Sequence, residues 1–232
     1  MADPEDHHSM NQDPVHILPL VVDGLGFSVR EQWLIKDVSF SLGARGRTFI
    51  VGPNGAGKSI LLRLCHGLLS PTTGTVRWAS GSSRQQRQRQ AMVFQKPVLF
   101  RRSARANVEY ALSVRGVAKK DVRQRADDAL EATGLTGIAH RQARVLSGGE
   151  QQRVGIARAV VHKPRILLAD EPTGNLDSER SIEIMELLTD LNRNSGITVL
   201  MVTHEPDMAA FARTIVHFKD GLVERVDAGA GA

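Results

Sequence analysis

Three short stretches of this chain hold residue types suited to phosphate chemistry. "VGPNGAGKS" at residues 51–59 fits the pattern G-x-x-x-x-G-K-[ST], with Gly52, Gly57, Lys58 and Ser59 at the fixed positions. Closely spaced glycines let consecutive backbone N–H groups point at one anion, and a helix that begins there adds positive potential. The cradle is expected to run through Gly52, Pro53, Asn54, Gly55, Ala56, Gly57, Lys58, Ser59 and Ile60. Lys58 would bridge the β- and γ-phosphates of a nucleoside triphosphate, and the Ser59 hydroxyl would ligate Mg²⁺. Further on, "ILLADEP" at residues 166–172 closes an apolar run with two acids. Asp170 stands where a carboxylate holds Mg²⁺ through water. Glu171, pointing the other way if the strand continues, is assigned as the general base that polarises the attacking water. Pro172 is expected to keep Glu171 extended. The third stretch, "LSGGEQ" at residues 146–151, offers a second glycine turn ahead of a helical run.

A glycine turn formed by chance needs no particular flanks, whereas here the strand "TFIV" precedes the loop and the helix-former run "ILLRLCHGLL" follows it. "DGLGFS" at residues 23–28 has two glycines but lacks the third and the helix, so a dinucleotide site is excluded there. The elements around these motifs alternate. "VSFSL", "TFIVG", "AMVFQ", "RILLAD", "ITVLMVTH" and "TIVHF" read as strands, several apolar without alternation, as in a parallel sheet covered on both faces. "KSILLRLCHGLL", "DVRQRADDALEATG", "EQQRVGIARAVV" and "SERSIEIMELLTDLNRNSG" read as helices. The pattern predicts an α/β P-loop NTPase core with a parallel sheet, an antiparallel β region near the N-terminus and a mainly helical insertion. That insertion runs from about 84 to 144, its first residues still in the sheet, with a helical subdomain at about 96–145. Residues 1–16 are expected to be a disordered leader, whose His7 and His8 are read as solvated, and residues 17–232 one ATPase domain.

A length of 232 residues with 41% hydrophobic content suffices for a real core, while no run approaches the roughly 20 apolar residues of a membrane span. No secretory signal is visible at the N-terminus. The single cysteine, Cys65, excludes an internal disulfide and reads as a buried structural thiol. A net charge of +5 is compatible with phosphorylated ligands, membranes or nucleic acid. The densest basic tract, "RQQRQRQ" at residues 84–90, has no aromatic residue for base stacking, so it is read as a solvated loop and no nucleic acid is expected.

In order and spacing, these motifs resemble those of the nucleotide-binding subunits of ATP-binding cassette (ABC) transporters, over nearly the whole chain after the leader. The resemblance implies ATP and Mg²⁺ as ligands and a second copy of the chain as head-to-tail, ATP-dependent partner. Ser147, Gly148 and Gly149 of one copy would cap the γ-phosphate held by residues 52–59 of the other. It implies that Gln95 in "VFQKP" senses Mg²⁺ and the attacking water, and that "GNLD" at residues 174–177 carries Asp177 across the dimer interface. It also implies that His204 in "VTHEP" contacts the γ-phosphate. One position departs from the family: Val29 stands where an aromatic residue usually stacks on adenine, with Phe27 and Trp33 as neighbouring substitutes.

Transmembrane permease subunits would dock around "KPVLFRRSARANVEYAL", and the chain is expected in the cytoplasm, peripheral on the inner face of the cell membrane. "VFQKPVLFRRSARANV" resembles importers of tungstate, molybdate or phosphate, which would add a substrate-binding protein as a partner. "LADEPTGNLDSERSIEIMELL" and "VTHEPDMAAFA" resemble lipoprotein-release and macrolide-efflux subunits. The first stretch lies nearer the membrane partner, so oxyanion import is preferred. A non-transport or regulatory ABC ATPase is the further alternative. A P-loop kinase would leave "LSGGEQ" unexplained.

Overall fold

The computed structural model describes residues 17–231; the expected leader, with His7 and His8, lies outside them. Strands β1 (Leu20–Val29), β2 (Gln32–Leu42) and β4 (Thr73–Trp78) form an antiparallel sheet in the order β2-β1-β4. The larger sheet holds β3 (Arg47–Val51), β5 (Gln90–Phe94), β6 (Ile166–Asp170), β7 (Thr198–Thr203), β8 (Thr214–Lys219) and β9 (Leu222–Ala228). Its order is β5-β6-β7-β3-β8-β9, parallel up to β8 and antiparallel at β9. Every residue of β6 and β7 is buried, which is why their apolar runs show no alternation.

Among the described residues there are six α-helices: α1 (Lys58–His66), α2 (Ser83–Gln88), α3 (Ala104–Val114), α4 (Lys119–Ala132), α5 (Gly148–Val160) and α6 (Ser178–Ser195). One apolar core joins α1 to the small sheet and to one face of the large sheet, through Leu61, Leu64, Ile35, Leu168 and Phe218. A second packs α6 on the opposite face, through Ile184, Leu188, Leu167 and Met201. A third binds α3, α4 and α5 together around Val108, Leu112, Leu130 and Val154. Cys65 lies wholly inside the first core, and burial pushes its thiol up to about 12. A thiol so strongly protonated is structural, not reactive.

The structure corrects two expectations. The basic tract at 84–90 is largely solvated up to Arg89, but Gln90 is buried and opens β5, and the tract is not a loop. Its first residues form α2, capped by Ser82, whose side chain accepts from the Gln85 N–H while the Gln85 amide accepts from the Ser82 N–H. Glu171 is not extended before Pro172. It has φ 47°, so the chain turns sharply as β6 ends. The Glu171 N–H donates to Val202 O at 3.0 Å and its carbonyl accepts from Gly174 N–H at 3.1 Å, and these two bonds hold the turn against the usual preference.

Candidate nucleotide-binding site

The parallel order places four motif residues side by side. Gln95 follows β5, Asp170 ends β6, His204 follows β7 and Gly52 follows β3, and these four strands are consecutive neighbours. The carboxyl ends of parallel strands are where open α/β sheets bind ligands.

The loop at 52–59 is shaped by close backbone approach. A Cβ on Gly52 would run into the carbonyl of Phe218, and Gly57 sits at φ 100° with Leu34 O only 2.9 Å from where a Cβ would be. Gly57 caps α1 without any side-chain hydrogen bond, and the first turn carries no acid. The Leu61 N–H reaches Gly57 O, which leaves the N–H groups of Lys58, Ser59 and Ile60 without intrahelical partners. An uncapped helix start of this kind is an anion cradle.

Lys58 is 4% exposed and folds back over the loop, donating to Gly52 O at 2.8 Å and Pro53 O at 3.0 Å. Its ammonium lies 3.5 Å from Glu171 Oε1, while Glu171 Oε2 lies 3.1 Å from His204 Nδ1. The sharp turn at residue 171, and not strand alternation, aims Glu171 at these two groups. Beside them the Ser59 hydroxyl donates to Asp170 Oδ1 at 2.6 Å. Gln95 joins from β5, its amide donating to Gly174 O at 3.4 Å while its own carbonyl accepts from Asn175 at 3.2 Å.

Sequence reasoning missed two supports. Arg63 Nη2 lies 3.9 Å from Asp170 Oδ2; its place four residues after Ser59, on the same face of α1, was the available signal. Thr173 Oγ1 donates to Glu205 Oε1 at 3.2 Å, tying the turn after Glu171 to the segment after β7. Nothing in the local sequence announces that contact.

Ser147, Gly148 and Gly149 stand elsewhere. Among the described residues no hydrogen bond or ion pair links them to residues 52–59. Ser147 caps α5, accepting from Glu150 N–H at 3.3 Å while its own N–H donates to Glu150 Oε2 at 2.6 Å. That box satisfies the third N–H of the helix and leaves those of Gly148 and Gly149 unused. Asp177 caps α6 through Arg180 N–H at 2.9 Å and pairs with the Arg180 guanidinium at 2.9 Å. Leu176, just ahead of it, packs beside Gly148.

Residues 35–174 match the sequence profile of a family described as "ABC transporter". A methionine import ATP-binding protein of Chromohalobacter salexigens is 40% identical over 78% of this chain, which spans only 55% of that relative. A tungstate uptake system ATP-binding protein of Peptoclostridium acidaminophilum is 38% identical over 78% of this chain and 85% of its own length. A lipoprotein-releasing system ATP-binding protein of Anaeromyxobacter dehalogenans is 40% identical over 82% and 84%. Among solved structures, an ATP-binding cassette captured as a post-hydrolysis dimer with ADP and Pi superposes with a TM-score of 0.78. It is 33% identical and covers 90% of this chain and 98% of that one. With its motifs gathered at neighbouring strand ends and these likenesses spanning most of its length, the chain belongs to the ABC transporter family, as one of its ATP-binding, P-loop ATPase members.

Proposed function

We propose that two copies of this chain bind two MgATP between them, head to tail, and hydrolyse them to power separate permease subunits that import an inorganic oxyanion. The observation that carries the ATPase reading is the Glu171 carboxylate, held between the Lys58 ammonium and the His204 ring beside an uncapped helix start. In this reading Lys58 moves from Gly52 O and Pro53 O onto the β- and γ-phosphates, which frees Glu171 to take a proton from water. His204 contacts the γ-phosphate, and Gln95 orients the water. Ser59 Oγ and Asp170 Oδ1 are hard oxygen donors in contact, and they fit Mg²⁺, which takes few protein oxygens and completes its shell with phosphates and water. When bound, Mg²⁺ would neutralise charge on the phosphates.

The unused N–H groups of Gly148 and Gly149 support their placement on the γ-phosphate of the opposite copy, as does the dimeric form of the solved relative. Asp177 then lies at the interface. For adenine, Trp33 is the better platform of the two substitutes, because Phe27 packs against the core while Trp33 is exposed, one residue before Leu34, whose carbonyl adjoins Gly57. Ser147→Arg chains mixed with Lys58→Ala chains are expected to keep at most one working site per dimer. Full two-site turnover, read as phosphate release per chain, would sink the head-to-tail arrangement.

Permease docking is supported by exposed apolar side chains at Val98, Phe100, Tyr110 and Val114; Phe100 and Tyr110 stack edge to face at 4.6 Å. No helix among the described residues is long and apolar enough to cross a membrane. The oxyanion reading rests on the tungstate-uptake likeness, which spans 85% of that protein where the methionine-import likeness spans 55%. Deleting the gene for this chain should lower cellular uptake of tungstate, molybdate or phosphate. Unchanged uptake of all three, with lipoproteins retained at the inner membrane, would instead favour the release reading that the third relative suggests.

A further inference from the structure

A second cluster of cations lies away from the strand ends just described. A cavity of about 260 Å³ is lined by His66 at the end of α1, Arg87 on α2, Gln90 opening β5, Arg115 after α3, Arg158 on α5 and His162 beyond it. No Asp or Glu lines it. Among the described residues none of the three arginines forms an ion pair, although Arg158 is half-buried. Arg115 donates one N–H to Gln88 O at 2.9 Å and Arg158 one to Val98 O at 2.8 Å, which fixes both guanidiniums and leaves most of their five donors unused.

Two buried atoms beside them are also unpartnered. His66 Nδ1 and Gln90 Oε1 are among the three buried side-chain polar atoms without a hydrogen bond in the described residues, and Gln90 is 3% exposed. Leaving such groups unpaired is costly unless a ligand or water completes them. The Gln90 amide offers two N–H donors when turned over, and neutral His66 offers one in either tautomer. Burial, and after it the Arg115 and Arg125 charges, push His162 down to about 4.

We propose that this cavity binds a free tetrahedral oxyanion of the phosphate or sulfate class, held by Arg87, Arg115, Arg158, His66 and Gln90. Five donor groups exceed what the roughly four lone-pair sites of a carboxylate can accept, while a tetrahedral dianion offers four oxygens and twice the charge. At about 30 Å³ per water molecule, the cavity has room for the ion and part of its hydration.

The test is calorimetric titration of the full chain carrying Lys58→Ala, which weakens the separate phosphate cradle at 52–59, with sodium phosphate at constant ionic strength. Saturable binding is expected, at least tenfold weaker when Arg87→Gln and Arg115→Gln are added, and at least tenfold weaker for acetate than for phosphate. Arg87 is exposed on α2, so Arg87→Gln alone should leave thermal unfolding unchanged and still weaken phosphate at least threefold. No saturable binding, an affinity indifferent to the arginines, or equal affinity for acetate would each overturn the proposal.

Discussion

The Glu171→Gln chain is expected to bind ATP and to persist as a dimer while turnover falls by about 10²–10⁴-fold, the range of general-base catalysis. The amide keeps the volume of the carboxylate; its oxygen can still accept from Lys58 Nζ and its NH2 can donate to an unprotonated His204 Nδ1, so the turn at residue 171 and its neighbours have no reason to move. It cannot take a proton from water. In the proposed dimer, binding and closure use the helix start of α1, Lys58, and the Gly148 and Gly149 N–H groups; of these only Lys58 contacts residue 171, and it keeps an oxygen partner there. Light scattering with and without MgATP, beside steady-state phosphate release, separates the two effects. Normal turnover would remove Glu171 from its role. A monomer that still titrates with ATP would assign the alignment of the two copies to the membrane subunits.

The second large effect is expected at Lys58. Lys58→Ala should raise the dissociation constant for ATP by about 10–100-fold, because a hydrogen bond to a charged group contributes about 1.5–3 kcal/mol and tenfold corresponds to about 1.4 kcal/mol. In the free chain the ammonium is already occupied, with two loop carbonyls and the Glu171 carboxylate. The triphosphate must therefore replace these partners, so the loss is expected near the lower end of that range. Equilibrium titration with a fluorescent ATP analogue measures it, with circular dichroism to confirm that the fold is retained. An unchanged constant would mean that the backbone cradle alone holds the phosphates.

What could be read from the sequence was set by how local each signal is. Residues 52–59 announce themselves because their spacing is dictated by a single turn, and β6 and β7 because burial on both faces leaves only apolar residues. β1 and β4 were harder to see. β1 carries Gly24 and Gly26, its register shifts three times against β2, and β4 has no fully buried residue to give a pattern. β9, "LVERVDA", is mostly exposed and gives an equally weak pattern. α2 was hidden by its charge, although "SSRQ" at residues 82–85 spelled a capping box. The turn at Glu171 was misjudged because the rule for a residue before proline is local, while the bond to Val202 that overrides it comes from another strand. The Lys58–Glu171 contact spans more than a hundred residues, and only the strand order could reveal it.

That strand order has one more consequence. Phe94 at the end of β5 lies directly beside Asp170 at the end of β6, and the two strands run parallel as immediate neighbours. Everything from Gln95 to the start of β6, three helices included, therefore leaves the sheet and rejoins it one strand over, about 5 Å away in the hydrogen-bonding direction. In the proposed reading, nucleotide chemistry fixes its two points of attachment and the turn at residues 147–149 at the start of α5. Its outer face can diverge, lengthen or be exchanged between relatives without displacing Ser59, Asp170 or Glu171. The face proposed above for permease docking can thus change while the nucleotide site keeps its geometry.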